Sequence, residues 1–204
     1  MSAPPPKALP NFGHIKRYWD FSRNNFIAKI LPGEVYVTKN HELISTLLGS
    51  CIAVCMRDKI NKVGGMNHFK LPTTDGNSRA SANNANYGLY AMELLINEIM
   101  KNGGNRANLE CRVFGGGKVI SSVSSDIGDK NIAFVKHFLK EERIRVIQQK
   151  TGGTSGMHVY YHPITGHAFS IALDESHSKK VKEEEKRYVA KVNQDTKDSD
   201  ITFF

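Results

Sequence analysis

Short β-type runs separated by turn residues divide the first half of the chain, and they constrain its fold more than any other feature of the sequence. Residues 34–38 alternate apolar and polar side chains, which is typical of a half-buried strand. Similar runs follow at residues 43–48, 52–56 and 63–68, separated by glycine or by Asp-Lys turns. No segment reaches the roughly 18 consecutive apolar residues that a membrane helix requires. The pattern predicts a strand-rich body that is not embedded in a membrane.

Two segments farther along the chain change to helical spacing. Apolar side chains recur every three or four residues at 86–100, before a glycine pair that ends the helix, and again at 131–141. Further strand-like runs occupy residues 109–114, 143–149, 158–162 and 168–173. Because the helices are set between strands, the sequence predicts an α/β protein with more strands than helices.

The formal net charge of +8 is spread along the chain rather than concentrated in one block. Residues 1–32 carry +4, residues 33–173 carry +5 and residues 174–204 carry −1. This distribution, without a groove-reading or base-stacking motif, argues against nucleic-acid binding. We expect a basic leader over residues 1–30 that is partly ordered at most, one domain over residues 31–173, and a charged C-terminal tail over residues 174–204.

Cys51 stands where the strand pattern predicts a sharp turn. Three cysteines without a visible secretory signal predict a cytoplasmic protein that has no disulfide framework. Gly49 permits a tight turn between two strands, and the backbone N–H groups of such a turn can hold an oxyanion. His68 ends the next predicted strand, and an antiparallel hairpin would bring its imidazole to the thiol and favour thiolate. Spacing alone leaves two interpretations open: a catalytic pair, or a buried cysteine beside an unrelated histidine.

Other polar clusters have simpler interpretations. Residues 115–118 lack the G-x4-G-K-[ST] pattern of a phosphate loop and predict a tight turn that lets the backbone approach the site. Residues 151–156 are typical of a flexible loop. His158 and His162 share a strand face but have no further ligand at suitable spacing, so we predict no metal site. Cys55 lies inside an apolar strand, which disfavours it as an alternative nucleophile.

Several of these segments together resemble the CheD family of chemoreceptor glutamine deamidases. The most specific pair is LGSC at residues 48–51 and NHFKLP at residues 67–72. Agreement continues through FGGG at residues 114–117 and TGG at residues 151–153. The resemblance runs from about residue 31 to residue 173, in order and without large gaps, and leaves the leader and the tail outside it.

The resemblance implies a layered sandwich of mainly antiparallel β-sheet with two principal helices, a fold shared with certain bacterial toxin deamidases. Cys51 matches the nucleophile of the family and His68 its general base, while the backbone N–H groups of Ser50 and Cys51 would hold the oxyanion. The family also has a hydroxyl residue that orients the imidazole. Direct count places it at Ser45, with Thr46 beside it, and only one of two neighbours in an extended segment can point at His68.

The resemblance also implies the reaction. The Cys51 thiolate attacks a receptor glutamine carboxamide, ammonia leaves, and a thioester is hydrolysed with the help of the histidine; no metal or organic cofactor is needed. The same chemistry could hydrolyse a receptor glutamyl methyl ester. Loop glycines that are candidates for substrate contact are Gly115, Gly116, Gly152 and Gly153.

Two functional hypotheses follow from these implications. The first is an enzyme that acts on the cytoplasmic helical domain of chemoreceptors. The second is a non-catalytic or weakly catalytic adaptor that binds chemoreceptors or a CheC-type chemotaxis phosphatase. An intact Cys51 and His68 favour the enzyme, whereas the choice between Ser45 and Thr46 keeps the adaptor open. We expect deletion of residues 1–30 to leave the chemistry intact and to weaken binding to an acidic receptor surface.

Overall fold

The computed structural model describes residues 4–71, 78–119 and 127–174, together with residues 181, 183–185 and 187; in the first helix, side chains are described from Tyr87 onward. Residues 4–174, where described, form ten strands, two α-helices and one short 3-10 helix, and the described residues between 181 and 187 are also helical. In chain order the strands and the two α-helices are β1 (Lys16–Asp20), β2 (Asn25–Lys29), β3 (Val35–Thr38), β4 (Leu43–Leu48), β5 (Ile52–Asp58), β6 (Val63–Phe69), α1 (Ser78–Lys101), β7 (Leu109–Gly115), α2 (Ile127–Glu141), β8 (Arg145–Thr151), β9 (Met157–Tyr161) and β10 (Ala168–Ala172).

The strands form two five-stranded sheets. Sheet A has the order β1-β2-β4-β9-β10 and is antiparallel except for the β2–β4 pair. Sheet B has the order β3-β6-β5-β7-β8 and is antiparallel except for the β7–β8 pair. Parallel neighbours need a long crossover connection, and α2 provides it between β7 and β8.

The two sheets and the helices form three layers. Helix α1 packs on β6 and β3, and α2 packs on β8 and on α1, so both helices contact sheet B. One continuous cluster of buried apolar side chains joins both sheets to α1; its members include Ile44, Leu48, Val54, Met66 and Met92. The predicted α/β layered sandwich of mainly antiparallel sheet with two principal helices is confirmed. Neither helix, in the part of the chain described, is long and apolar enough to cross a membrane.

Strands β1 and β2 lie within residues 1–30, the segment predicted as a leader. β2 pairs in parallel with β4, with Ile27 opposite Leu43 and Lys29 opposite Ser45. Ile27 and Ile30 are buried. The described part of the leader is thus ordered and supplies two strands to sheet A, which differs from the expectation of partial order at most. The reason is tertiary: β2 is held by a parallel partner beyond the following strand, a pairing that local sequence does not encode.

Candidate active site

Residues 49–51 connect β4 of sheet A to β5 of sheet B, and Cys51 lies at the end of this connection. The carbonyl oxygens of Gly49, Ser50 and Cys51 all accept hydrogen bonds at 2.8 Å from groups of the protein interior. In that order, the donors are the Gly117 N–H, the Asn131 side-chain amide and the Gly116 N–H. The backbone of the connection is therefore fixed through its carbonyl groups.

The N–H groups of the same three residues converge on one carboxylate oxygen. Oε1 of Glu185 lies 3.1, 2.9 and 3.2 Å from the nitrogens of Gly49, Ser50 and Cys51. Oε2 accepts from the Ser50 hydroxyl at 2.6 Å and lies 3.2 Å from Nζ of Lys70. Three N–H donors aimed at one oxygen beside a thiol have the geometry of an oxyanion hole. Ser50 and Cys51 are the predicted donors, and the structure adds Gly49.

Glycines behind Cys51 set the position of its backbone. Gly115 has φ +107°, and a Cβ atom added there would lie 2.1 Å from the carbonyl oxygen of Cys51. Gly115 and Gly116 are buried, as Cys51 is, and substrate contact at these two positions stays a prediction. Gly152 and Gly153 have no neighbouring atom within 4 Å of an added Cβ, and Gly153 is exposed. Substrate contact at these last two positions stays a prediction.

His68 lies on β6, directly opposite Ala53 of β5. Ile52 pairs with Phe69, so continuing the alternation by one residue puts the side chains of Cys51 and His68 on the same face, as diagonal neighbours. Diagonal neighbours are separated by about 7–8 Å, which long and aromatic side chains can span. Both side chains are buried. The hairpin predicted from spacing is thus present, with the thiol and the imidazole on one face of it.

Thr46 fixes the orientation and the tautomer of His68 from the opposite sheet. Its Oγ1 lies 2.7 Å from Nδ1 of His68 and donates to the carbonyl of Ile30 at 2.9 Å. A hydroxyl has one proton and a carbonyl can only accept, so Thr46 accepts a hydrogen bond from Nδ1–H. Nε2 is then the unprotonated nitrogen, and it is buried without a hydrogen-bond partner among the described residues. The imidazole therefore presents a basic nitrogen inside the site.

Ser45 is the position favoured by direct count, but it does not contact the imidazole. It lies opposite Tyr160 of β9 on the outer face of sheet A, and its buried hydroxyl has no partner within the described ranges. Alternation along β4 directs Ile44, Thr46 and Leu48 toward sheet B and Ser45 away from it. Between the two predicted alternatives, the structure places Thr46 on His68.

Burial and two charges set the protonation states of the site. Burial lowers the pKa of His68 to about 4, an effect that Glu185 opposes and Lys70 reinforces. Burial also raises the pKa of the Cys51 thiol, and Glu185 raises it further, while Lys70 acts against both. The pKa of Glu185 is raised by burial, but Lys70 and hydrogen bonds from Ser50 and Cys51 outweigh this and hold it below its ordinary value. The pair rests as a thiol and a neutral imidazole beside an ionised carboxylate.

Sequence reasoning missed three residues that complete the site: Lys70, Asn131 and Glu185. The side chain of Asn131 accepts from the Leu71 N–H at 2.9 Å and donates to the Ser50 carbonyl, so it joins α2 both to the connection at residues 49–51 and to the residue that follows Lys70 at the end of β6. The sequence could have indicated Lys70 as a site residue. It follows His68 by two residues, so strand alternation puts both side chains on the same face. Glu185 carries no local signal, since it is one of three consecutive glutamates in a charged tail.

The remaining cysteines and histidines do not form a second reactive site in the described part of the chain. Burial raises the pKa of Cys111 to about 12 and that of Cys55 well above its ordinary value, so both thiols stay protonated. Nδ1 of His158 lies 3.0 Å from the hydroxyl of Tyr160. Among the described residues, no group of three or more His, Cys, Asp or Glu side chains is placed to hold a metal ion.

The sequence is similar to proteins of one family along nearly its whole length. The family described as CheD chemotactic sensory transduction matches residues 70–170. A probable chemoreceptor glutamine deamidase CheD of Hahella chejuensis is 40% identical over 203 residues, which are 98% of this chain and 96% of that protein. Proteins of the same name from Halorhodospira halophila and Methylobacillus flagellatus are 41% and 42% identical, over 98% and 92% of this chain and 94% of each relative.

Proposed function

The chain belongs to the CheD family, and on that premise we propose that it is a protein-glutamine deamidase that converts specific glutamines of chemoreceptors to glutamate through a thioester on Cys51. The observation that carries the proposal is the convergence of three backbone N–H groups on one oxygen beside the thiol. A substrate carboxamide oxygen would take the position that Oε1 of Glu185 occupies. One donor of this kind typically contributes about 10²–10³ in kcat.

The first half of the reaction forms the acyl enzyme. The thiol proton of Cys51 moves to Nε2 of His68, and the sulfur attacks the carboxamide carbon. The negative charge that develops on the oxygen is held by the N–H groups of residues 49–51. The Nε2–H of the imidazolium then protonates the nitrogen, the C–N bond breaks, and ammonia leaves a thioester on sulfur.

The second half consumes water. Nε2 of His68, neutral again after the departure of ammonia, removes a proton from water as the oxygen attacks the thioester. The tetrahedral intermediate expels sulfur, which recovers its proton from the imidazolium, and the substrate side chain leaves as glutamate. Thr46 accepts from Nδ1–H throughout, so the same nitrogen acts as acid and as base. This type of proton transfer contributes about 10²–10⁴ in rate.

Methyl-ester hydrolysis is a second reaction that the same geometry supports. The N–H groups that now contact Oε1 of Glu185 would contact only the carbonyl oxygen of a substrate, so they would not distinguish an amide from an ester. With a glutamyl methyl ester, Nε2–H of His68 would protonate departing methanol instead of ammonia, and the thioester would be the same. We propose this receptor methylesterase activity as secondary to deamidation.

The proposed substrate implies a cellular compartment and binding partners for the protein. We assign it to the cytoplasm, with the cytoplasmic helical domain of chemoreceptors as its protein substrate and a CheC-type phosphatase as a second partner. We propose no nucleic-acid partner, since the five basic residues of the leader are spread over two short strands and the segments outside them. The adaptor hypothesis differs in one respect: it requires receptor binding without chemistry at Cys51.

Mass spectrometry of receptor cytoplasmic fragments incubated with the full chain tests the proposal. We expect conversion of particular glutamines to glutamate with the wild-type chain, and none with Cys51→Ala. Conversion that survives in Cys51→Ala would exclude the thioester mechanism. Receptor binding without conversion, both in the wild type and in the Glu185→Ala variant described below, would favour the adaptor.

A further inference from the structure

The oxyanion hole is occupied by a side chain of the protein itself. Glu185 uses both carboxylate oxygens: Oε1 accepts from three backbone N–H groups, and Oε2 accepts from the Ser50 hydroxyl and pairs with Lys70. The Glu185 residue is only 3% exposed. Ionised carboxylates are rarely buried without paired charge and several donors, and this site supplies both. Glu185 is therefore held by specific contacts with the catalytic groups.

The segment that carries Glu185 presents one helical face to the site. Val181 and Glu185 are helical, lie one turn apart and are buried, whereas Glu183 and Arg187 are exposed. Positions i and i+4 lie above one another on a helix, so Val181 and Glu185 form the docked face. That face sits over Gly49, where an added Cβ would lie 2.8 Å from Oε1 of Glu185 and 3.2 Å from Val181. The absence of a side chain at Gly49 allows this close contact.

Glu185 also has the chemical form of the product of the proposed reaction. Deamidation of glutamine leaves a glutamate side chain whose carboxylate begins with one oxygen in the oxyanion hole, as Oε1 of Glu185 is. In the structure, the carboxylate of Glu185 accepts a hydrogen bond from the ammonium group of Lys70. A glutamine in the same place would direct its NH₂ group at that ammonium group, so two donors would face each other. Lys70 therefore favours the acid over the amide at this position.

We propose that Glu185 is an intramolecular product mimic, and that the C-terminal segment docked through Val181 and Glu185 blocks Cys51 until a receptor segment displaces it. A tethered ligand acts at a high effective concentration, so a free substrate must compete with the tail at every turnover. The blocked state also holds the nucleophile as a thiol, because the Glu185 carboxylate raises the pKa of Cys51. The claim that the docked segment inhibits deamidation rests on the proposed deamidase function, whereas the claim that it covers Cys51 does not.

Alkylation of Cys51 by iodoacetamide, read residue by residue by mass spectrometry, tests the occlusion without any assay of deamidation. We expect Glu185→Ala to raise the labelling rate of Cys51 by about tenfold or more, because the carboxylate no longer covers the thiol or raises its pKa. Val181→Asp should act in the same direction by releasing the docked face. Glu183→Ala, an exposed glutamate of the same segment, should label at the wild-type rate. Equal Cys51 labelling in the wild type, Glu185→Ala and Val181→Asp would overturn the proposal.

The Glu185→Gln variant tests the product relationship. Lys70 holds the introduced glutamine less firmly than Glu185, but the tether keeps its carboxamide beside Cys51 as a substrate. We therefore expect its own deamidation, seen as the mass gain of one amide-to-acid conversion at that position. The rate should not depend on protein concentration, since the reaction is intramolecular, and the double variant Glu185→Gln/Cys51→Ala should not convert.

Faster Cys51 labelling in Glu185→Ala without conversion of any glutamine would uphold occlusion and reject deamidation. Receptor conversion by the wild type at the rate of Glu185→Ala would uphold deamidation and reject inhibition.

Discussion

At the scale of single residues, the proton of the Thr46 hydroxyl decides which nitrogen of His68 is basic. Thr46 donates to Ile30 and accepts from Nδ1, so Nε2 is free to take the thiol proton. We expect Thr46→Val to lower kcat for receptor deamidation by about 10–100-fold, a typical cost for losing a group that orients a functional histidine, with KM little changed. Thr46→Ser should recover most of the loss. Ser45→Ala is the matched control on the other face of β4, and a loss there equal to that of Thr46→Val would contradict the assignment.

The pKa of His68 makes stability depend on pH. Its folded value of about 4 lies below its ordinary 6.5, so as the pH falls the unfolded chain binds the proton first. The contribution of neutral His68 to the unfolding free energy is therefore complete above pH 6.5, and it is lost as the pH falls from 6.5 through about 4. Between neutral pH and about pH 4, the wild type should lose about 3 kcal/mol more unfolding free energy than His68→Gln. Urea unfolding of both proteins measures this difference, and parallel curves would show that His68 titrates normally.

At the scale of elements, the end of β7 sets the position of Cys51. Gly115 approaches the Cys51 carbonyl more closely than any side chain permits, whereas Gly152 has open space at its Cβ position. Both have positive φ, +107° and +81°, so alanine adds backbone strain of about 1–3 kcal/mol at either site. We expect Gly115→Ala to lower Tm more than Gly152→Ala and to reduce deamidation as well. Equal Tm and equal activity in the two variants would mean that the close approach has no effect.

Most elements of this fold follow from their local patterns. The runs at β3 to β7 are predicted within a few residues, because burial against a partner sheet leaves a strand signature in each segment. Strand β1 escapes notice because its Lys16–Asp20 stretch lies half-exposed at the edge of sheet A, without an apolar face to reveal it. Helix α1 begins earlier than its apolar spacing indicates.

The residues of the site also divide into those that local sequence patterns predict and those that depend on tertiary packing. The LGSC and NHFKLP motifs indicate Cys51 and His68, and membership of the CheD family is confirmed along with the fold. Which of two neighbouring hydroxyls reaches the imidazole depends on the face that β4 turns toward sheet B, and this is a property of the packed sheets. Glu185 reaches Cys51 across 134 residues of sequence, a contact that no local pattern can encode.

At the scale of the whole molecule, the site draws on both sheets and on both ends of the chain. Thr46 belongs to sheet A and His68 to sheet B, Ile30 follows the second strand, and Glu185 comes from the C-terminal segment. The hydrogen bond between Thr46 and the imidazole of His68 thus depends on how the sheets pack. The N-terminal strands are part of that packing, so the charge of the leader no longer has to be explained by an acidic partner.

Deletion of residues 1–30 should therefore remove folding and chemistry together, contrary to the expectation from sequence. It would leave one edge of β4 unpaired and remove the carbonyl of Ile30, which frees the Thr46 proton to bond Nδ1 and favours the wrong tautomer of His68. Loss of buried Ile27 and Ile30 alone costs about 2–5 kcal/mol each, against a total stability of about 5–15 kcal/mol. Circular dichroism should show no cooperative thermal transition in the deleted chain. Phe21→Ser, at a side chain 82% exposed on the same segment, should unfold like the wild type. A cooperative transition with undiminished deamidation after the deletion would show that β1 and β2 are dispensable.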